Sequence, residues 1–362
     1  MDRRTFLEAG LGVATATSLA GCAGQLTSRS PRAPAIVENR PNGIYLPGHV
    51  EGMQMVGTTE QGDYGFGLMY SYAHRFWNVN GETTSLTEIG PDDDIHLMAS
   101  VWDSETQTIL PETGLSVEIY RDSELISQEA IYPMLSQPMG FHYGANFGLD
   151  GDGTYDVRLS VGGLSTRRTD LFQDRFEQPV TARIPFEYSE SKRDNISFRR
   201  LEDAGSSGAV DPMAMEMLPS SIAPRADVLP GRVVGTGSTD GAVFVTTVLD
   251  SPPAGVVGQG QYLAVSARSQ YNRMVLPAMS LSAAQTRDGE ILSNQRLTRT
   301  LDPSLGYHYG AVVDAVQSGD KLTLSPTLQP QTARHEGYET AFGGETGAME
   351  DINFTVNDQQ SA

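Results

Sequence analysis

Short runs in which apolar and polar residues alternate with a period of two dominate the chain beyond about residue 43. Residues 95–102, 115–120, 154–161 and 281–285 show it most clearly, and each is bounded by turn-forming residues. Arg121-Asp122-Ser123 follows the second run, Asp150-Gly151-Asp152-Gly153 precedes the third, and Arg287-Asp288-Gly289-Glu290 follows the fourth. A period of two puts alternate side chains on opposite faces of a strand, so each run has one face to bury. No stretch after the first residues holds a helical apolar period for long. The pattern predicts an all-β protein built as two tandem immunoglobulin-like antiparallel β-sandwich domains.

The tandem follows from self-similarity at a spacing of roughly 166 residues. Gly140-Phe141-His142-Tyr143-Gly144-Ala145 recurs as Gly306-Tyr307-His308-Tyr309-Gly310-Ala311. Without a gap, Leu110-Pro111 falls on Leu276-Pro277 and Arg121-Asp122 on Arg287-Asp288. About a third of residues 95–145 are identical in the second copy, more than chance supplies over that length. Expected boundaries are a signal at 1–22, a Ser/Thr/Pro/Gly-rich tether at 23–42, a first sandwich at 43–189, a linker at 190–227 and a second sandwich at 228–357.

The N-terminus changes the picture from fold to location. Arg3-Arg4 precedes a short apolar run that ends in Leu19-Ala20-Gly21-Cys22, which reads as a twin-arginine export signal followed by a lipobox. Cleavage leaves Cys22 as an acylated first residue, anchoring the protein in the cell membrane and facing the exterior. Cys22 is also the sole cysteine, so the mature chain has no internal disulfide and no blue-copper centre, which needs a cysteine sulfur. There are 45 Asp and Glu against 25 Lys and Arg, a net charge of −20, and the lysines are Lys192 and Lys321 alone. That balance excludes a nucleic-acid partner and is of halophilic type, suited to high salt where screening relieves self-repulsion.

Candidate chemistry rests on histidine and methionine. In a strand His96 and Met98 share a face, and Met134 could approach it from a neighbouring strand beside His142. Imidazole and thioether together suit a soft or borderline ion such as copper. The Asp92–Asp94 run lacks calcium-loop spacing, and Gly52-Met53-Gln54-Met55 with Tyr70, Tyr72, Phe76 and Trp77 is expected to fill the first core. No phosphate-binding glycine loop, nucleophile elbow or HExxH helix occurs, so the expected role is non-enzymatic.

Asp94-Ile95-His96-Leu97, Pro133-Met134, His142 to Asn146 and Gly151-Asp152-Gly153-Thr154-Tyr155, in that order, resemble the periplasmic high-affinity iron-transport protein family, small copper-binding sandwiches that accompany iron permeases. The resemblance covers roughly residues 43–188, with a weaker copy in the second half. It implies copper or iron held by His96, Met134 and His142, with a last histidine from a later segment. In the first copy that segment is Ser165 to Asp170, with Arg168 where the histidine would stand. In the second copy Tyr262 replaces His96 and Leu301 or Thr300 replaces Met134, but His308 is kept, and Ala333-Arg334-His335-Glu336 offers a final histidine. The family's dimer implies a homodimer or an intrachain pseudo-dimer in which His335 or His308 approaches the first copy's site. The expected function is a surface lipoprotein of metal acquisition beside a metal permease, with metal residues His96, Met98, Met134, His142, His308 and His335. The alternative is a sandwich lipoprotein that has lost its metal and serves as an envelope scaffold.

Overall fold

A computed structural model describes residues 34–357; Arg3, Arg4 and Cys22, on which the export and anchoring expectations rest, lie outside them. The described chain is all-β with very little helix, in sheets of eight, six, four, four and two strands whose pairings are antiparallel apart from two short parallel insertions. No helix among the described residues is long and apolar enough to cross a membrane.

The alternation seen in the sequence becomes a division of faces. In the eight-stranded sheet the strand Ile95–Asp103 pairs with Tyr64–Tyr72 on one side and Gly140–Phe147 on the other. Tyr70, Leu97, Tyr143 and Ala145 turn inward, join the main core and pack toward the sheet that contains Gly153–Val161 and Val180–Tyr188. His96, His142, Gly144 and Asn146 take the outer face, because Asn146 pairs with His96 and Gly144 with Met98. Glycine and aspartate accept the positive φ of the intervening hairpins, as at Asp122 (φ 50°), Asp288 (φ 49°) and Gly289 (φ 88°).

The two halves pair their central strands alike. Gly310 pairs with Ala264, and His308 with Thr300, as Gly144 pairs with Met98 and His142 with Met134. Each half also sends a two-residue strand into the other half's sheet. Ala333–Arg334 runs parallel to Tyr132–Ser136 in the eight-stranded sheet, with Ala333 opposite Met134. Arg167–Arg168 runs parallel to Thr298–Asp302 in the six-stranded sheet, with Arg167 opposite Thr300. One contiguous buried cluster contains residues of both halves.

Segment 190–227, expected as a linker, carries structure of its own: a short helix Glu190–Asp194, a strand Phe198–Arg200 and the buried side chains of Leu218, Ser221 and Ala223. Phe198–Arg200 pairs with His49–Glu51 and lays that strand over the outer face of the eight-stranded sheet. Residues 34–42, expected as the end of the tether, are pinned at Val37 and Arg40 by Glu336 and Glu339.

Candidate metal centre

Four expected ligands meet on the outer face. His96, Met134 and His142 are fully buried there. His335 follows the inserted strand, and its backbone amide donates to the Leu135 carbonyl at 3.0 Å. The His335 ring centroid lies 5.4 Å from that of His96 and 5.2 Å from that of His142. Met98 shares the face, opposite Gly144, and lines the adjoining cavity. Gly144 shows how closely the donors approach: a β-carbon there would come within 2.7 Å of His96 Nε2 and 3.1 Å of Met134 Sδ. The His-Tyr-Gly-Ala motif is therefore a division of labour along one strand. His142 faces outward, Tyr143 turns inward and its hydroxyl accepts from the Thr113 amide at 2.8 Å, and Gly144 leaves room for the donors of neighbouring strands.

Hydrogen bonds fix which ring nitrogen is free. His142 Nδ1 donates to the Gly140 carbonyl at 3.1 Å, leaving the Nε2 lone pair facing the cluster. His96 Nδ1 lies 2.8 Å from Asn146 Oδ1, and Asn146 Nδ2 donates to the His74 carbonyl, which orients the amide oxygen toward His96. The Nε2 atoms of His96, His142 and His335 are all buried without a hydrogen-bond partner. Burial drives the His142 imidazole down to about 4, and it drives His96 and His335 well below the ordinary histidine range, with like charge among the clustered rings adding to the effect. The rings are thus neutral, the form that binds metal. An unsatisfied buried polar atom costs roughly 1–3 kcal/mol, so three in neighbouring packed rings are a cost that metal binding would reduce. Three imidazole nitrogens and a thioether suit a soft or borderline transition metal.

Three further groups stand beside this set that sequence patterning did not single out. His74, in the loop between Tyr64–Tyr72 and Phe76–Asn80, stacks on His96 at 4.0 Å, and donor atoms of His74, His96 and His335 lie within 4.8 Å of one another. Glu51 Oε2 is 3.6 Å from His74 Nδ1, and Glu51 Oε1 is 2.7 Å from His49 Nε2. Burial alone would raise the Glu51 carboxyl; the adjacent imidazoles outweigh it and hold the group well below the usual carboxylate range. None of the three belongs to a motif, and His74 lies in a loop that no pattern in the sequence marks as part of a site.

The second half holds the same scaffold with different chemistry. His308 Nδ1 donates to the Gly306 carbonyl at 3.0 Å, as His142 does to Gly140, but its Nε2 is taken by the Tyr262 hydroxyl at 3.0 Å. Arg167 donates to Tyr262 Oη at 2.7 Å, to Thr300 Oγ1 at 2.9 Å and to the Gly310 carbonyl at 2.9 Å. A guanidinium thus sits beside the capped histidine, and His308, expected among the metal residues, is not brought to the cluster. The expectation about Arg168 also changes. The strand registers make Thr169 the equivalent of His335, and Arg168 the equivalent of Arg334, in the two halves. Arg168 bonds the Arg175 carbonyl and reaches Glu177 at 3.5 Å, so its charge is spent away from the histidine cluster. Phe76 and Trp77, expected in the first core, instead border the site: Phe76 packs with Met134 and Ala333, and Trp77 lines the cavity.

A family described as a domain of unknown function, DUF7350, matches residues 227–355. No curated protein matches the chain. Among solved structures, copper-reconstituted P19 protein from Campylobacter jejuni aligns at 19% identity and a TM-score of 0.31, covering 38% of this chain and 96% of that one. FetP from uropathogenic Escherichia coli strain F11, as isolated, aligns at 18% identity and a TM-score of 0.29, covering 39% and 96%.

Proposed function

We propose that this protein is a non-enzymatic metal-binding lipoprotein that holds one copper ion, with His96, Met134 and His142 from one half of the chain and His335 from the other. The observation that carries this reading is the packing of the His335 ring against those of His96 and His142, each with a buried, partnerless Nε2, and with the Met134 sulfur beside His96. Bound there, copper would have nitrogen and thioether ligation that stabilises its reduced form. Asn146 and the Gly140 carbonyl hold two of the rings in the ligating tautomer. The reciprocal strand insertion lets one chain stand in for a dimer.

Anchored at Cys22 outside the membrane, such a protein would keep copper in reach of a permease of iron or copper acquisition. The names of P19 and FetP structures that contain copper agree with the choice of ion. Elemental analysis of the mature soluble form, purified in high salt, tests the reading against a His96→Ala/His142→Ala variant. Near-stoichiometric copper in the parent and only trace copper in the variant is expected. Equal trace metal in both would leave a β-sandwich scaffold without metal.

A further inference from the structure

A cavity of about 450 Å³ opens where the strand Arg167–Arg168 of the first half enters the six-stranded sheet of the second. Arg167, Arg296 and Arg299 line it with a single carboxylate, Glu112, in a chain whose net charge is −20. That carboxylate is already engaged: Glu112 Oε2 accepts from Arg299 and Oε1 from the Tyr307 hydroxyl. The other two guanidinium groups bond neutral partners alone. Arg167 donates to Tyr262, Thr300 and the Gly310 carbonyl, and Arg296 donates to Ser280 Oγ at 2.9 Å. Two positive charges therefore border the cavity without a counter-charge among the described residues. These cations belong to this half alone. By strand register the first-half equivalents of Arg296, Arg299 and Arg167 are Ala130, Pro133 and Ala333, none of them charged.

We propose that this cavity is an anion site for a small organic molecule carrying two or more carboxylates. It is independent of the copper reading. A guanidinium offers paired N–H donors that match a carboxylate, and Arg167 is held in place by its three hydrogen bonds while Arg296 stands exposed at the rim. The hydroxyls of Ser165 and Thr298 add neutral donors on the same wall. A water takes roughly 30 Å³, so the space exceeds what one inorganic ion would fill. At about 1 M salt the screening length is about 3 Å, so the acidic surface elsewhere does not repel such a ligand and the adjacent cations decide. Arg167 comes from the first half and Arg296 from the second, so the ligand would join the two. The half that has capped its histidine thus holds a site of the opposite sign.

The test is calorimetric titration with citrate, and separately with inorganic sulfate, in about 1 M KCl after a chelator has removed metal. It compares the parent, Arg296→Gln, Arg296→Glu and Arg183→Glu, with thermal unfolding to confirm that each is folded. Arg183 lies on an exposed strand of the first half, so Arg183→Glu makes the same change of net charge away from the cavity. The parent and Arg183→Glu should bind one equivalent of citrate with equal affinity. Arg296→Gln should bind it about tenfold more weakly, and Arg296→Glu not measurably. Sulfate should bind the parent at least tenfold more weakly than citrate; equal affinity would overturn the carboxylate assignment. No saturable citrate binding in the parent, unchanged binding in both Arg296 variants, or equal weakening in Arg183→Glu would overturn the site.

Discussion

At the scale of single residues, the same histidine in two copies of one motif has two environments, and the difference is a matter of one neighbour. His142 leaves its Nε2 open, while His308 has it capped by Tyr262. Burial holds His308 down at about 4, so it stays neutral in the folded state while an unfolded chain would bind a proton near 6.5. Its contribution is therefore whole above about pH 6.5 and is lost as pH falls toward 4, by roughly 2–3 kcal/mol. His308→Gln should flatten the fall in melting temperature between pH 7 and pH 4; an unchanged profile would exclude this residue as its source. Gly144 gives a cleaner separation of site from fold. Its φ is not in the left-handed region, so Gly144→Ala meets no backbone strain, yet the added carbon stands among the donors. Copper content should drop at least tenfold in that variant while the melting temperature moves by only a few degrees.

Among the elements, the short strand Ala333–Arg334 has the largest consequence for its size. Arg334 is buried, with its guanidinium bonded to the Ala341 and Phe342 carbonyls and to Gln329 Oε1, which ties the strand to the turn after it. Gly337 begins that turn at φ 95°, and a β-carbon would stand 2.5 Å from Gln137 Nε2 and 2.6 Å from the Tyr45 carbonyl. Gly337→Ala should therefore destabilise the fold by about 1–3 kcal/mol and weaken metal binding together, as seen in thermal unfolding and copper titration. Much of this level was legible in the sequence, because strands, hairpin turns and the repeat all follow from local patterning. The grouping of His96, Met134, His142 and His335 came instead from the resemblance, because in the second copy Tyr262 stands for His96 and Leu301 or Thr300 for Met134. Glu51, His49 and His74 were not legible, because a strand of three residues pairs with another about 150 residues away in sequence. The first-half equivalent of His335 was expected at Arg168 and is Thr169, one residue on, and Arg167 gave no sign that it would reach into the other half.

Across the whole molecule, two features set conditions on any assay. A net charge of −20 with two lysines means that like-charge repulsion opposes the compact state until salt screens it. The melting temperature should rise steadily from 0.1 M to about 2 M salt; a flat or falling curve would contradict that account. The second feature is the reciprocal strand exchange, which makes the histidine cluster, and with it the proposed copper site, a property of both halves rather than of the first alone. Copper content of purified His335→Ala, after a chelator has removed loosely held ions, tests this most directly. The variant leaves His96, Met134 and His142 untouched, so near-stoichiometric copper in the parent and its loss in the variant is the predicted result, whereas copper retained in full would show that the second half contributes nothing to the site.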